Sequence, residues 1–205
     1  MKKKFCIYGA SGHSKVIVEI LEKTGCIIIG LYDDDPQKKA LFNYSVGSQL
    51  SSLVSHDVSW IIGIGDNFIR KKIADLYTLD FGIAIDENAN ISKRSKVGVG
   101  SVIVSGVSIN SSVLIGEHSI INTNSSIDHD CNVGDYVHVS PNATLCGGVS
   151  IGEGAHIGAG AVIIPGIKIG KWARIGAGAV IIKNVPDYAI AVGNPGRLLK
   201  AKIKK

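Results

Sequence analysis

The residues best suited to chemistry lie in the stretch SSIDHDCNVGDYVHVS, residues 125–140 of the 205-residue chain. His129 stands between Asp128 and Asp130, and a second histidine, His138, follows nine residues later. A carboxylate beside an imidazole is the arrangement of a general base with its orienting partner. The same residue types also serve as metal ligands. Which chemistry applies depends on the elements that position the two histidines.

The element that carries this stretch is a six-residue repeat, which begins at Ile85 and continues to Pro186 without an insertion. Its seventeen blocks each open with Ile, Val or Leu, and glycine is frequent at the second position. Such repeats predict a parallel β-helix in which three blocks form one triangular coil. Residues 18 apart then stack at the strand spacing of about 4.8 Å. The opening aliphatic residues are expected to face inward.

The first 84 residues follow a different pattern. KFCIYGASGHSKVIVEILEKTGCIIIGLYDDD predicts a strand, a Gly-rich turn, a helix, a second strand and an acidic turn. WIIGIGDNFIRKKIADLY predicts another strand, a Gly-containing loop and an amphipathic helix. This alternation indicates a small parallel sheet. We therefore predict an α/β, Rossmann-like domain over residues 1–84 and an all-β, parallel β-helix domain with a C-terminal tail over residues 85–205.

The Gly-rich turn lies where the first strand meets a helix N-terminus, whose backbone N–H groups and dipole favour an anion. It is not G-x-G-x-x-G, so it does not match the dinucleotide fingerprint. Three aspartates follow the second strand, where a carboxylate can bind a ribose hydroxyl. We interpret this crevice as a nucleotide or phosphosugar site. The residues predicted to bind the substrate are Ser11, Gly12, His13, Asp33, Asp34, Asp35, Gly65 and Asn67.

The six-residue register separates the histidines. His138 and His156 are 18 apart and stack on one face, whereas His129 lies half a coil from His138, on another face. Within one chain they are too far apart to act together, but they can converge in the groove between two neighbouring β-helices, which favours a symmetric trimer. Cys131 occupies the fifth position of its block, so we expect it to pack inside the coil and not to act as a nucleophile.

The residues alone leave the chemistry open. His129 can be a general base that takes a proton from an amine or hydroxyl attacking a thioester, with Asp130 or Asp128 fixing its tautomer. Alternatively, histidines of neighbouring subunits can hold a catalytic zinc, and stoichiometric metal would distinguish the two. A structural or regulatory partner of a glycan-synthesis enzyme is a third, non-enzymatic alternative. Two IGAGAV blocks, 18 apart, form a nearly side-chain-free wall along which a pantetheine arm could lie.

Composition excludes several classes of protein. The formal charge is +5, but seven of the 22 basic residues are lysines in the first four and last six positions, so the body of the chain is not a basic nucleic-acid surface. The first apolar run is too short for a signal peptide, and no stretch approaches a transmembrane helix. The four cysteines show no CxxC pairing, which is typical of a cytosol. We expect a cytoplasmic protein that does not bind nucleic acid and does not insert into a membrane.

Over nearly its whole length the chain resembles the bacterial hexapeptide-repeat sugar acyltransferases of the sialic acid O-acetyltransferase and UDP-4-amino-sugar N-acetyltransferase family. The matching motifs are YGASGH, the Asp33–Asp35 cluster, GIGDNFIRKKI, INTNSSIDHDCNVGDYVHVSPNATLCGGV and AVGNPGR. The resemblance implies a left-handed β-helix assembled as a homotrimer with active sites between subunits. It also implies acetyl-CoA as co-substrate and no metal.

The resemblance further implies roles for individual residues. His129 resembles the general base, Asp130 the carboxylate that raises its basicity, and His138 a contact to the acetyl group. The backbone near Ala159 and Ala177 resembles the pantetheine wall. The sequence departs from the amino-sugar members, which often carry Glu at the position of Asp130 and glycine at that of Ala177.

The activity implied by the resemblance is N-acetylation of the 4-amino group of a UDP-linked 4-amino-4,6-dideoxy sugar. Within the family, the alternative is O-acetylation of sialic acid or another surface-glycan sugar. Outside it, the alternative is a zinc-dependent β-helix hydrolase.

Overall fold

The computed structural model describes residues 2–48 and 57–199. Its N-terminal part is a small sheet with two helices. The elements are β1 (Lys4–Tyr8), α1 (Gly12–Lys23), β2 (Ile27–Tyr32), β3 (Ala40–Leu41), β4 (Tyr44–Gly47), β5 (Ser59–Ile62) and α2 (Asn67–Leu76). The strand order is β3-β4-β2-β1-β5, and all neighbours are parallel except β3 and β4. The predicted alternation of strands and helices is confirmed, and the short antiparallel β3–β4 pair was not predicted.

The rest of the described chain is a β-helix of short strands in three sheets. The strands are β6 (Ala84–Ile85), β7 (Asn90–Ile91), β8 (Lys96–Val97), β9 (Val102–Ile103), β10 (Ser108–Ile109), β11 (Leu114–Ile115), β12 (Ile120–Ile121), β13 (Ser126–Ile127), β14 (Asn132–Val133), β15 (His138–Val139), β16 (Thr144–Leu145), β17 (Ser150–Ile151), β18 (His156–Ile157), β19 (Val162–Ile163), β20 (Lys168–Ile169), β21 (Arg174–Ile175), β22 (Val180–Ile181), β23 (Ile190–Val192) and β24 (Arg197–Leu198). The sheets run in the orders β7-β10-β13-β16-β19-β22, β8-β11-β14-β17-β20 and β6-β9-β12-β15-β18-β21-β23-β24. From β6 to β22 every third strand pairs in parallel, then β21 pairs in parallel with β23, and β24 is antiparallel to β23. The predicted α/β domain followed by a parallel β-helix is therefore confirmed.

Two positions of each six-residue block build the core. The opening aliphatic residue and the small residue at the fifth position point inward, and they form one continuous buried cluster from Ile103 to Ala191. Cys131 belongs to this cluster and is 1% exposed, as predicted. The fourth position has positive φ in every block from Gly100 to Gly178. This position turns each corner of the prism, and it is here that Asp130 follows His129.

The repeat ends differently from the prediction. Stacked residues are 18 apart up to β21, as in the column Ile120, His138, His156 and Arg174. In the last coil, Ile169 bridges Val185 and Arg174 pairs with Ile190, which are 16 apart. With a spacing of 18, residue 187 would stack on Ile169. Val185 takes this inward position instead, two residues earlier in the chain, and is 4% exposed. The predicted full length of the seventeenth block is therefore wrong.

A buried arginine joins α2 to the β-helix. Arg70 is 1% exposed, and its guanidinium donates to the carbonyl oxygens of His118 at 2.7 Å and Tyr136 at 2.9 Å. It also donates to the Asn67 side chain at 2.9 Å. The Asn67 amide in turn donates to the carbonyl of Gly154 at 3.1 Å. The first turn of α2 thus holds three successive coils at one corner, and we call this group of hydrogen bonds the α2 clasp.

Candidate active site

His129 lies at the corner between β13 and β14, with its side chain 62% exposed. Its Nδ1 lies 2.8 Å from the Asp130 carboxylate, which is brought alongside the ring by the left-handed conformation of Asp130. Its backbone N–H donates to Asp128 at 2.8 Å, and Asn110 donates to the same carboxylate. The carboxylate acts as acceptor, so the proton of the neutral ring belongs on Nδ1. Nε2 is then the atom with a free lone pair.

Both aspartates increase the basicity of His129. The hydrogen bond to Asp130 raises the pKa of the ring above its usual value, and the negative charge of Asp128 adds to this effect. The edge of the ring packs against Gly147 of the next coil, where a Cβ atom would come within 2.8 Å of Nε2. The corner therefore presents an exposed, oriented imidazole. A polar groove of about 240 Å³ beside it is lined by Asn110, Ser126, Asp128 and Thr144, among others.

A larger cleft of about 1260 Å³ lies between α2 and the sheet that contains β15, β18 and β21. The predicted cofactor residues His138, Ala159 and Ala177 all line it. Gly158 and Gly176 lie in the same wall, and neither has room for a Cβ atom because the backbone of the next coil or its side chains would be too close. The wall is therefore flat, and a long thin molecule fits along it. We call this space the α2 cleft.

The histidines in the α2 cleft each have a polar neighbour that follows, by two residues, the residue they stack on in the preceding coil. His138 Nε2 lies 3.1 Å from the Asn122 side-chain nitrogen. The Asn122 side-chain oxygen accepts from the backbone of Thr123 at 2.8 Å, so its amide N–H groups face the ring. His138 Nε2 is thereby an acceptor. His156 Nε2 lies 3.0 Å from the Ser140 hydroxyl, and the rings of His138 and His156 are 4.8 Å apart.

Burial keeps these two rings neutral. Desolvation lowers the pKa of His138 to about 3, with contributions from the neighbouring His156 and from the charge of Arg70. The pKa of His156 is also lowered, first by burial and then by Arg174 and Arg70. The two sets of histidines thus have opposite properties. His129 is exposed and basic, whereas the histidines of the α2 cleft are uncharged at neutral pH.

The predicted aspartates lie beside the N-terminal turn, and the side chains of all three already accept hydrogen bonds, that of Asp35 from the backbone of Gln37 at 3.0 Å. Asp33 is buried and accepts from the backbone of Ala10 at 2.7 Å and from Lys38 at 2.9 Å. Asp34 is exposed and accepts from the hydroxyls of Tyr8 at 2.6 Å and Tyr32 at 2.9 Å. Asp33 therefore fixes the turn itself, and Asp34 and Asp35 remain on its open side.

Other predicted substrate residues fall into two groups. Ser11 and Gly12 lie at the start of α1, and a Cβ at Gly12 would meet nothing within 4 Å. His13 follows them, with a buried Nε2 that has no hydrogen-bond partner within the described residues. Burial and the charge of Arg70 lower its pKa to about 4.

Gly65 and Asn67 correct our interpretation of the later loop. We expected them to line the crevice of the Gly-rich turn, but both line the α2 cleft together with His138. The reason is the α2 clasp, which turns the Asn67 amide toward Gly154 and Ala155 of the β-helix. They therefore line the same cleft as the predicted cofactor residues.

Within one chain the structure does not bring all predicted residues together. His129 lies at a different corner from the α2 cleft, as the register predicted. Sequence reasoning missed Asn122, Trp172 and Tyr188, whose importance lies in contacts between coils or between domains. It placed Arg70 in the crevice of the Gly-rich turn, whereas the structure bonds its guanidinium to carbonyls of the β-helix. A signal was present for Trp172 and Tyr136, since a large aromatic residue is unusual at a block position that requires positive φ.

Within residues 2–48 and 57–199, no group of three or more His, Cys, Asp or Glu is placed to hold a metal ion. In the same part of the chain, no helix is long and apolar enough to cross a membrane.

Comparisons with known proteins agree with this arrangement. The family profile of the PglD N-terminal domain matches residues 4–77. The profiles of the bacterial transferase hexapeptide and of the hexapeptide repeat of succinyl-transferase match residues 148–183 and 125–165. A comparison with curated protein sequences found no match.

Three solved structures resemble nearly the whole chain. PerB from Caulobacter crescentus, in complex with CoA and GDP-perosamine, is 36% identical with a TM-score of 0.90, covering 96% of this chain and 97% of that one. The acetyltransferase domain of PglB from Neisseria gonorrhoeae is 30% identical with a TM-score of 0.89, covering 97% and 100%. WeeI from Acinetobacter baumannii is 30% identical with a TM-score of 0.88, covering 95% and 99%. The chain belongs to this family of hexapeptide-repeat sugar N-acetyltransferases.

Family membership decides between the alternatives of the sequence analysis. The protein is an acetyltransferase of this family, as predicted. Among the relatives, PerB was solved with CoA and the PglB domain with acetyl-CoA. The zinc hydrolase and the non-enzymatic partner are set aside. In this acetyltransferase the flat wall of the α2 cleft and the exposed base at the β13–β14 corner are the two features that require a function.

Proposed function

We propose that the protein transfers the acetyl group of acetyl-CoA to the 4-amino group of a nucleotide-linked 4-amino-4,6-dideoxy sugar, with His129 as the general base. The observation that carries this proposal is the 2.8 Å contact between His129 Nδ1 and Asp130, which leaves Nε2 exposed as an acceptor. We expected a UDP sugar from the sequence. One relative was crystallised with GDP-perosamine, so both nucleotides belong in the test.

The proposed reaction is direct transfer. The neutral amine attacks the thioester carbonyl, His129 Nε2 takes the amine proton, and the C–S bond breaks as the tetrahedral intermediate collapses. The proton then passes to the departing CoA thiolate, so that no charge remains. A positioned base contributes roughly 10²–10⁴ in rate. The polar groove beside His129 is the proposed place for the sugar.

We place the thioester beside His138, with the pantetheine arm along Ala159 and Ala177. His138 Nε2 accepts from Asn122, and the neutral ring therefore has no proton on that atom. Backbone N–H groups and the Asn122 amide are the proposed donors for the oxyanion. His138 is still proposed to contact the acetyl group. Its neutral ring would also orient the side-chain amide of Asn122.

We propose that the active site forms between two subunits of a homotrimer. The base lies at the β13–β14 corner and the α2 cleft lies on another face, so the two meet only when neighbouring β-helices pack side by side. The nucleotide is proposed to bind the same subunit that holds the thioester.

The test of the function is release of CoA thiol from acetyl-CoA with a panel of UDP- and GDP-linked 4-amino sugars, with sialic acid as the contrast. We expect turnover of an amino sugar, and we expect His129→Ala to reduce kcat/KM by about 10² or more. Glu87→Ala is the matched control, because Glu87 is an exposed residue at the same position of another six-residue block and lies at a different corner. A His129→Ala enzyme with near-normal activity would refute the mechanism, and turnover of sialic acid alone would refute the substrate.

A further inference from the structure

One corner of the β-helix carries a row of aromatic side chains. The corner residues of successive coils are His118, Tyr136, Gly154, Trp172 and Tyr188, and all five have positive φ. The rings of His118 and Tyr136 are stacked, with centroids 5.2 Å apart and planes 3° apart. The lower half of the row is therefore a closed structural stack.

The upper half of the row is open and faces the α2 cleft. The Trp172 indole lies over Gly154, where even a Cβ atom would collide with it. Phe68 of α2 meets the indole edge-on, with centroids 6.0 Å apart. Tyr188, one coil further, is 73% exposed and Phe68 is 67% exposed. Such large exposed aromatic surfaces at the mouth of a cleft indicate a ligand.

The surroundings of these rings favour a planar ligand that carries phosphate. Arg174 lines the same cleft and is exposed. Lys171, next to Trp172 in the chain, is exposed as well. Aromatic faces stack on nucleobases of any sequence, and a guanidinium pairs with phosphate oxygens.

We propose that Trp172 and Tyr188 bind the adenine ring of acetyl-CoA, and that Arg174 binds a phosphate of the same molecule. Phe68 packs edge-on against the indole of Trp172. The inference rests on the proposed position of acetyl-CoA in the α2 cleft. The wall next to His138 continues without interruption to these rings, so one extended molecule can fill both.

The first test compares two acyl donors. S-acetylpantetheine carries the reacting thioester but neither the adenine nor the phosphates. We expect Trp172→Ala to raise the KM for acetyl-CoA roughly 10-fold or more, because stacking on an aromatic side chain is a large part of base binding. The KM for S-acetylpantetheine and for the nucleotide sugar should not change. Trp172→Phe should retain most of the preference for acetyl-CoA.

Two outcomes of this test would overturn the proposal. An equal rise in KM for both donors would mean that Trp172 only shapes the cleft. A rise confined to the nucleotide sugar would mean that the rings hold the base of that substrate instead. Tyr188→Leu guards against a folding defect, since this exposed side chain can be replaced without disturbing the core.

A binding measurement separates this proposal from the proposed function. The chain has two tryptophans, and the other, Trp60, is 1% exposed. Adenosine 3′,5′-bisphosphate should quench the fluorescence of the wild-type protein, should not do so in Trp172→Phe, and should bind more weakly to Arg174→Gln. No acceptor sugar is needed, so the result does not depend on the substrate. Undiminished quenching in Trp172→Phe, or none in a wild-type protein that turns over acetyl-CoA, would contradict the adenine site.

Discussion

At the scale of single residues, the proposed chemistry depends on His129 and His138 having pKa values shifted in opposite directions. His129 has an exposed ring and two carboxylates that raise its pKa, whereas burial lowers the pKa of His138 to about 3. A base must be neutral at the working pH and still hold a proton well, which is what Asp130 provides. A histidine beside the thioester must stay uncharged so that it does not compete for the proton. One residue type thus serves two purposes because the two histidines differ in burial and in their charged neighbours.

The pH profile of kcat/KM tests this assignment. His129 is inactive when protonated, so the rate should fall as the pH drops through its raised pKa. Asp130→Asn removes the carboxylate that raises this pKa, so the acidic limb of the profile should move to lower pH. The plateau rate should also fall, because the ring becomes a weaker base. Steady-state rates at a series of pH values measure both effects.

Glu19→Gln is the control for this experiment, since it removes an exposed carboxylate from α1. Its profile should match that of the wild type. An Asp130→Asn profile with an unmoved acidic limb would mean that a group other than His129 controls the rate.

The sequence predicted the residues of the site better than their environment. His129 with its flanking aspartates could be found because the three are adjacent in the chain. The role of Asn67 could not be found, because its partners are the carbonyls of Gly154 and Ala155, nearly 90 residues away. Every residue has a backbone carbonyl, so the residue types at positions 154 and 155 do not indicate this contact. The burial of Arg70 could not be predicted either, because its partners in the β-helix are also backbone carbonyls.

At the scale of elements, the β-helix could be predicted almost completely. Each six-residue block needs an aliphatic and a small residue facing inward, so the same pattern recurs many times along the sequence. The shortened last coil escaped prediction because Val185 is an acceptable inward residue in either register. The β3–β4 pair escaped because strands of two and four residues are too short to show a period.

The α2 clasp is the element that shapes the cleft, and its loss should be measurable. Arg70→Met would leave the carbonyls of His118 and Tyr136 buried without their donor, and each such group costs about 1–3 kcal/mol. We expect a lower midpoint of urea unfolding and a higher KM for acetyl-CoA, because α2 forms one wall of the cleft. Lys72→Ala on the exposed face of α2 is the matched control and should change neither. An Arg70→Met protein as stable as the wild type would contradict the clasp.

At the scale of the whole molecule, the two halves of the proposed site lie on different faces of one prism. A single chain therefore has a base without an acyl donor beside it, and a cleft without a base. In the proposed homotrimer, neighbouring chains would bring the two halves together, and activity would be a property of the oligomer. The proposed function depends above all on His129 of one subunit serving the α2 cleft of another.

Co-expression of two inactive variants measures this claim most directly. His129→Ala lacks the base, and Ala159→Trp fills the α2 cleft but keeps His129. In mixed trimers, a site formed between an Ala159→Trp chain that supplies the base and a His129→Ala chain that supplies the cleft is intact. Random assembly should restore about a quarter of the wild-type activity. Mixed trimers that stay as inactive as either variant alone would contradict an active site shared between subunits.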